Sequence, residues 1–241
     1  MPSTNLIDGL QALSLDSTPR TVEALEQYVN LLEKWNAVIN LTAIRERERM
    51  ITWHLLDSLT VMPWVSTGQR LLDVGSGGGL PGIPLAIMAP QMAVTLLEPN
   101  QKKAAFLRQV KLELRLENVH IETQRVEQWQ PEQETFDRII SRAFSDLLEF
   151  TKASEHLLSP QGTWIAMKGA LPYEEISKLP THLQAECLRV QIPGVQAERH
   201  VIVLQPTTSS PRAMKQPETA FPAPEGTGTA AIQNGAEHLS L

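Results

Sequence analysis

The pattern of hydrophobic and polar positions divides the chain into two parts, of which residues 1–65 are the first. There the apolar residues recur at helical spacing, and no stretch has the alternation of a strand. Thr18 followed by Pro19 favours the start of a long helix. A further helix is predicted over residues 47–62. We therefore expect residues 1–65 to form an N-terminal helical cap.

From residue 70 the pattern changes to short apolar runs of strand length separated by amphipathic helical stretches. The predicted strands span residues 70–74, 93–97, 119–123, 138–141, 163–168, 188–192 and 200–204. The clearest helices between them span residues 100–116, 146–158 and 173–183. This alternation is typical of a parallel sheet with helices on both faces. The sequence therefore predicts a doubly wound α/β domain with a seven-stranded sheet over residues 66–205.

Composition changes the picture in three ways. Residues 206–241 are rich in Pro, Thr, Ser, Ala and Gly, which predicts a disordered tail. The net charge of −6 means that any contact with nucleic acid must be local. Cys187 is the one cysteine of the sequence, which excludes an internal disulfide and a cysteine-rich zinc site. We predict no metal site, no membrane span, a cytoplasmic location and a monomer.

The strand over residues 70–74 carries the strongest chemical signal, because it ends in an acid and then breaks into glycines. Asp73 precedes a turn with the spacing Gly75-x-Gly77-x-Gly79, and the next strand ends at Glu98. The order strand, glycine turn, helix, strand, acid is typical of a site for a nucleotide-like cofactor. The second acid is expected to accept hydrogen bonds from ribose hydroxyls.

Two features of the turn favour S-adenosylmethionine over a dinucleotide. A dinucleotide fold needs a helix N-terminus that faces the pyrophosphate, whereas Pro81 and Pro84 delay the helix start to about Gly82 or Ile83. A carboxylate at Asp73 would also repel that phosphate. It suits the ammonium and sulfonium groups of S-adenosylmethionine instead.

The residues after the fourth strand limit which chemical groups can be the methyl acceptor. Amine methylation usually requires an Asn/Asp-Pro-Pro-aromatic run at this place, where the chain has residues 141–144, Ser-Arg-Ala-Phe. Methylation of a pyrimidine carbon needs a cysteine nucleophile, and Cys187 lies outside the expected mouth of the site. A ring nitrogen with its own lone pair, such as guanine N7, fits because alignment and placement are sufficient for it.

Lys102 and Lys103 stand in the first turn of the helix that Asn100 is predicted to cap. Cations there oppose the helix dipole by ~0.3–1 kcal/mol each, which suggests a use such as contact with phosphate. Simple solubility explains the two lysines equally well.

Seven segments together resemble a known family, the bacterial small-subunit ribosomal RNA methyltransferase G, also called glucose-inhibited division protein B. They are residues 34–36, 40–45, 54–59, 73–84, 102–107, 141–144 and 168–169. The resemblance covers residues 25–204. It implies a Rossmann-like class I methyltransferase fold and S-adenosylmethionine-dependent methylation of guanine N7 at one position in 16S ribosomal RNA. The target is expected within the small ribosomal subunit or its precursor.

The resemblance also implies roles for particular residues. The family's cofactor contacts match Gly75, Leu80, Val126 with Glu127, and Arg142, in addition to the predicted contacts of Asp73, Gly77 and Glu98. Arg142 would hold the methionyl carboxylate or the substrate, which makes it the candidate catalytic residue. The candidate contacts with RNA are His54, Asp57, Lys102, Lys103 and Lys168. His54 and Asp57 would close over the guanine, or bind each other at the domain junction.

Two departures from the family and two alternative functions remain. Glu98-Pro99 stands where the family often has Asp-Ser, which keeps the acid and alters the turn. Of the basic C-terminal segment typical of the family, only Arg212 and Lys215 remain. The same residues leave two other functions open. A nicotinamide-dependent dehydrogenase could use the same glycine turn, but Asp73 and the two prolines argue against a dinucleotide. A non-catalytic RNA-binding or ribosome-assembly factor could retain the fold, although the intact turn argues against that.

Overall fold

The N-terminal region consists of helices, as its apolar pattern predicts. The computed structural model describes residues 6–131, 135–142, 144 and 146–207. Helix α1 spans Leu6–Ala12 and α2 spans Pro19–Ile39, with Pro19 in its first turn. Helix α3 (Arg47–Met50) continues through a π-helix (Ile51–Leu56) into α4 (Asp57–Leu59). The helix predicted over residues 47–62 therefore exists but contains a wider turn.

Seven strands form one sheet within the described part of the chain. They are β1 (Arg70–Val74), β2 (Ala93–Leu97), β3 (Val119–Glu122), β4 (Phe136–Ser141), β5 (Leu158–Lys168), β6 (Leu183–Arg189) and β7 (His200–Pro206). The order across the sheet is β3-β2-β1-β4-β5-β7-β6. The first five strands are parallel, and β7 runs antiparallel to both β5 and β6. The predicted seven-stranded, doubly wound sheet is confirmed.

The helices between the strands are α5 (Gly82–Met88), α6 (Gln101–Glu113), α7 (Leu147–Ser154) and α8 (Tyr173–Ser177). Helix α5 begins at Gly82, where the prolines were expected to place its start. The Asn100 side chain accepts hydrogen bonds from the backbone N–H groups of Lys102 and Lys103, which confirms the predicted cap of α6. In the described region no helix is long and apolar enough to cross a membrane.

The last third of the domain departs from the predicted bounds. Helix α8 ends at Ser177, well before residue 183, because Pro180 cannot continue a helix. Strand β6 begins at Leu183, five residues before the predicted position, since this edge strand is only half-buried and lacks a continuous apolar run. Strand β7 reaches Pro206, the first residue of the predicted tail. Of the rest of that tail, residues 208–241 lie outside the described residues.

The N-terminal helices share an apolar core with one face of the sheet. Leu10, Leu25 and Leu32 belong to the same buried cluster as Leu71 and Ile140. A second cluster, which includes Phe136, Phe150 and Trp164, covers the other face. The division of the chain at residue 65 therefore stays a prediction.

Strand order places the site. From β1 the chain forms β2 and β3 on one side and then returns to form β4 on the other side. Ligands of open α/β sheets bind where the strand order reverses, outside the carboxyl ends of the strands. That point lies at the ends of β1 and β4, beside Asp73 and Arg142.

Candidate active site

The turn after β1 requires glycine at three positions. Gly75, Gly77 and Gly79 have φ values of 72°, 57° and 85°. These lie in the left-handed region, which residues with a Cβ rarely adopt. The space around Gly77 differs from that around Gly79, however. A Cβ at Gly79 would lie 2.6 Å from Ile83, whereas one at Gly77 would meet nothing closer than the Gly75 carbonyl oxygen at 3.9 Å. The turn therefore leaves an open cradle at Gly77.

Asp73 supplies a buried carboxylate directly beneath this turn. Its side chain is 0% exposed, and Oδ2 accepts a hydrogen bond from the Gly82 backbone N–H at 2.9 Å. Oδ1 has no hydrogen-bond partner within the described structure. Burial raises the pKa of Asp73 to about 7, although Gly82, Ser76 and Arg142 act in the opposite direction. An unpartnered, desolvated acceptor of this kind fits a cationic ligand group.

Glu98, the predicted ribose-binding acid, holds the turn itself. Its Oε2 accepts the Gly77 N–H at 2.8 Å, and its Oε1 accepts the Asn100 N–H at 2.8 Å. The carboxylate therefore links the cradle to the cap of α6. Since each carboxylate oxygen has a second acceptor position, these contacts leave capacity for ribose hydroxyls.

Asp57 lies between two arginines at the end of the π-helix. Arg199 Nε donates to Asp57 Oδ1 at 3.0 Å, and Arg142 Nη1 lies 3.5 Å from Oδ2. Burial raises the pKa of the Asp57 carboxyl, while both guanidinium groups lower it. Arg142 also donates to the Trp53 carbonyl at 3.3 Å, and the Arg199 guanidinium lies 5.2 Å from the Trp53 ring centroid. The acid therefore orders both cations.

His54 is held by Thr42 and Trp53, whereas Asp57 binds Arg142 and Arg199. Its Nε2 lies 2.7 Å from the Thr42 hydroxyl, and its Nδ1 lies 3.0 Å from the Trp53 carbonyl oxygen. A carbonyl oxygen can only accept, so the ring proton of the neutral imidazole resides on Nδ1, and the Thr42 hydroxyl donates to Nε2. Burial, aided by Arg142, lowers the pKa of His54 to about 4. The imidazole is therefore neutral near pH 7.

A cavity of about 280 Å³ opens beside Arg142, between the π-helix and the ends of β5 and β7. Its charged and aromatic lining comes from Trp53, His54, Asp57, Arg142, Lys168, Arg199 and His200. The cavity combines a planar ring with several cations next to the strand switch point. This combination suits a planar, electron-rich group attached to a phosphate backbone.

Lys168 belongs to a polar contact that holds the segment after β4. Its Nζ lies 2.8 Å from Glu175 Oε2 and donates to the Phe144 carbonyl at 3.2 Å. The same Glu175 oxygen accepts the Leu147 N–H at 2.9 Å. Lys168 therefore fixes the wall of the cavity, and a direct contact with RNA stays a prediction.

The other predicted site residues lie around the same edge of the sheet. Lys102 is exposed and Lys103 is half-exposed on the first turn of α6. Val126 is buried and Glu127 is exposed in the turn that follows β3. Leu80 is buried where the glycine turn ends. Their roles in binding stay predictions.

Sequence reasoning missed three residues that complete the site: Tyr28, Glu175 and Arg199. Tyr28 stands in an ordinary helical pattern, and Glu175 is one acid among many. Arg199 precedes a strand that was predicted correctly, but no motif distinguishes it. Within the described ranges, no cluster of three or more His, Cys, Asp or Glu side chains is placed to hold a metal ion.

The fold shows the structural class of enzymes to which the chain is similar. A solved structure of an S-adenosylmethionine-dependent methyltransferase from Aquifex aeolicus aligns with a TM-score of 0.50 at 14% identity. The alignment covers 65% of this chain and 92% of that chain. The chain thus has the doubly wound fold of the class I methyltransferases, preceded by helices.

Sequence comparison defines the family. The family model for rRNA small subunit methyltransferase G matches residues 21–202. A protein of that name from Chromobacterium violaceum is 54% identical over 201 residues, covering 83% of this chain and 96% of the relative. One from Laribacter hongkongensis is 50% identical and covers 81% and 94% of the two chains. The chain belongs to this family.

Proposed function

We propose that the chain is an enzyme that methylates N7 of one guanosine in 16S ribosomal RNA, with S-adenosylmethionine as the methyl donor. The family match over residues 21–202 carries the proposal, because the relatives it joins are named as methyltransferases of the small-subunit RNA. The location is proposed to be cytoplasmic, the protein a monomer, and the target the small subunit or its precursor.

The geometry of the turn supports the cofactor. Asp73 has a buried, unpartnered Oδ1 that fits the ammonium or sulfonium group, and the open cradle at Gly77 admits the ligand. Glu98 would accept hydrogen bonds from the ribose, and residues 126–127 would face the adenine. When bound, the cofactor supplies an electrophilic methyl group.

The geometry of the cavity supports a guanine acceptor. N7 of guanine carries its own lone pair and no proton, so its methylation requires no general base. The neutral His54 is therefore compatible with the reaction, as a group that positions Trp53 and Thr42. Arg142 would serve both halves of the site, since its charge acts on Asp73 as well as on Asp57. Transfer would then depend on placement and electrostatics.

The test uses methyl-labelled S-adenosylmethionine with small subunits and with naked 16S RNA, both from cells that lack this activity. Label recovered in 7-methylguanosine is expected, and the better acceptor identifies the physiological target. Absence of label, in a protein that binds the cofactor, would refute the N7 assignment and favour a non-catalytic factor.

A matched pair of glycine variants tests the cofactor site. Gly77→Arg is expected to abolish cofactor binding, because the side chain would fill the cradle. Gly68 also has positive φ and nothing within 4 Å of a built Cβ, so Gly68→Arg imposes the same backbone strain elsewhere. Calorimetric titration of both variants separates the two effects. Normal binding by Gly77→Arg would show that the site lies elsewhere.

A further inference from the structure

Tyr28 connects helix α2 to the glycine turn. Its side chain is 0% exposed, and its hydroxyl donates a hydrogen bond of 2.5 Å to the Gly78 carbonyl oxygen. Burial raises the pKa of the Tyr28 phenol above its ordinary value, so the phenol stays protonated and donates this hydrogen bond to the carbonyl oxygen. Arg142 and Asp73 both act electrostatically on the same hydroxyl. The contact therefore lies within the site.

The peptide between Gly78 and Gly79 is held at both ends. Tyr28 binds its carbonyl, and the Gly79 N–H donates to the Ser76 carbonyl at 2.7 Å. Residues 77–79 are consecutive glycines, whose backbone has unusually wide conformational freedom. The orientation of this peptide must therefore come from its contacts.

Helix α2 also limits the turn by packing. A Cβ built at Gly78 would lie 3.2 Å from Leu32 Cδ1 and 3.7 Å from Leu41 Cβ. The helix thus presents one apolar wall and one hydroxyl donor to the turn. The wall alone cannot orient a carbonyl group, because dispersion contacts have no preferred direction.

We propose that Tyr28 is a positioning residue for the cofactor: it fixes the Gly78–Gly79 peptide and keeps the neighbouring cradle at Gly77 in its binding conformation. The proposal rests on the proposed function, because it requires a cofactor in this turn. A turn ordered in advance binds more tightly, since less binding energy is needed to order it. Tyr28 acts through the turn and touches no reacting atom.

Tyr28→Phe removes the hydroxyl and keeps the ring. The loss of one buried hydrogen bond predicts a dissociation constant for S-adenosylhomocysteine that is roughly fivefold to thirtyfold higher, measured by calorimetry. A second readout needs no cofactor: the Gly79 amide is expected to exchange its hydrogen faster in the variant, as measured by NMR. The control is Leu25→Ala, which removes a fully buried side chain from the same helix and retains Tyr28. It is expected to lower the melting temperature and leave the dissociation constant within about twofold.

Unchanged binding in Tyr28→Phe would overturn the proposal, as would an equal loss in Leu25→Ala, because the effect would then follow helix stability. If the wild type binds no cofactor, the proposed function fails, while hydrogen exchange at the Gly79 amide still reports on the turn.

Fluorotyrosine labelling of the wild type provides a test that does not depend on the folding of Tyr28→Phe. The sequence has two tyrosines, and Tyr173 is 64% exposed. A fluorine signal that shifts on ligand addition at Tyr28 and not at Tyr173 is expected; a constant Tyr28 signal contradicts the proposal.

Discussion

Substitution of Asp73 by Asn provides a direct test of the electrostatics under the glycine turn. The change is nearly isosteric and leaves an oxygen that can accept the Gly82 N–H. It removes the charge that burial makes unfavourable. At low pH, where Asp73 is protonated, the two proteins are expected to have similar stability. As the pH rises, the wild type is expected to lose stability relative to the variant.

The sign and size follow from the two protonation equilibria. Burial raises the pKa of Asp73 from an ordinary value of 3.8 to about 7. Between these values the folded state binds more protons than the unfolded state, so the free energy of unfolding falls as the pH increases. About three pH units at ~1.4 kcal/mol each give a relative loss of about 4 kcal/mol, complete slightly above pH 7. The greater part of it is expected between pH 4 and 7.

Urea unfolding at half-unit intervals from pH 4.5 to 8 measures this difference. Asp8→Asn on the exposed face of α1 is the control, because it removes one charge without touching the site. Only the Asp73 variant is expected to become more stable relative to the wild type as the pH rises. A difference that stays constant across the range would refute the reasoning, since Asp73 would then be compensated. A cationic cofactor is expected to reverse the trend, so its affinity should increase between pH 6 and 8.

Three further predictions concern the same region. For His54→Gln we expect a pH dependence opposite to that of the Asp73 variant. Burial lowers the pKa of His54 to about 4, so the wild type has its full stability above pH 6.5 and loses stability as the pH falls toward 4. Urea unfolding of both proteins across this range measures the difference. Gly82→Ala places a Cβ 2.3 Å from Leu96 Cδ2, and overpacking of about 1–3 kcal/mol should lower the melting temperature. Asp57→Asn leaves two partly exposed guanidinium groups without their acid, so we expect a loss of about 2–4 kcal/mol in unfolding free energy and a fall in methyl transfer, measured by calorimetry and label incorporation.

The sequence predicted the sheet well where strands are buried on both faces. The strands that precede and follow the glycine turn, β1 and β2, match the predicted bounds, because continuous apolar runs and flanking breakers leave little freedom. The edge strand β6 was misplaced, because its burial is partial and its apolar residues do not form a run. Pro180 was the available signal that the preceding helix had to end.

The candidate site was predictable only where local sequence determines it. The positive φ angles at Gly75 and Gly77 follow from glycine at fixed spacing after a strand. The pairing of Asp57 with Arg142 and Arg199 joins residues that lie 85 and 142 positions apart, and no local pattern encodes such contacts. For the same reason Tyr28, 50 residues before its partner, could not be distinguished from a core residue.

The N-terminal helices are better understood as part of the site than as a cover over it. The glycine turn is common to many doubly wound folds, and its Gly78–Gly79 peptide is held both by a backbone hydrogen bond within the turn and by Tyr28 of α2. The π-helix brings Asp57 to Arg142, and so sets the position of the cation nearest the strand switch point. Because the Tyr28–Gly78 contact is buried and polar, it tolerates little displacement. Under the proposed function, displacement of the helices would therefore disturb the glycine turn and the position of Arg142 together.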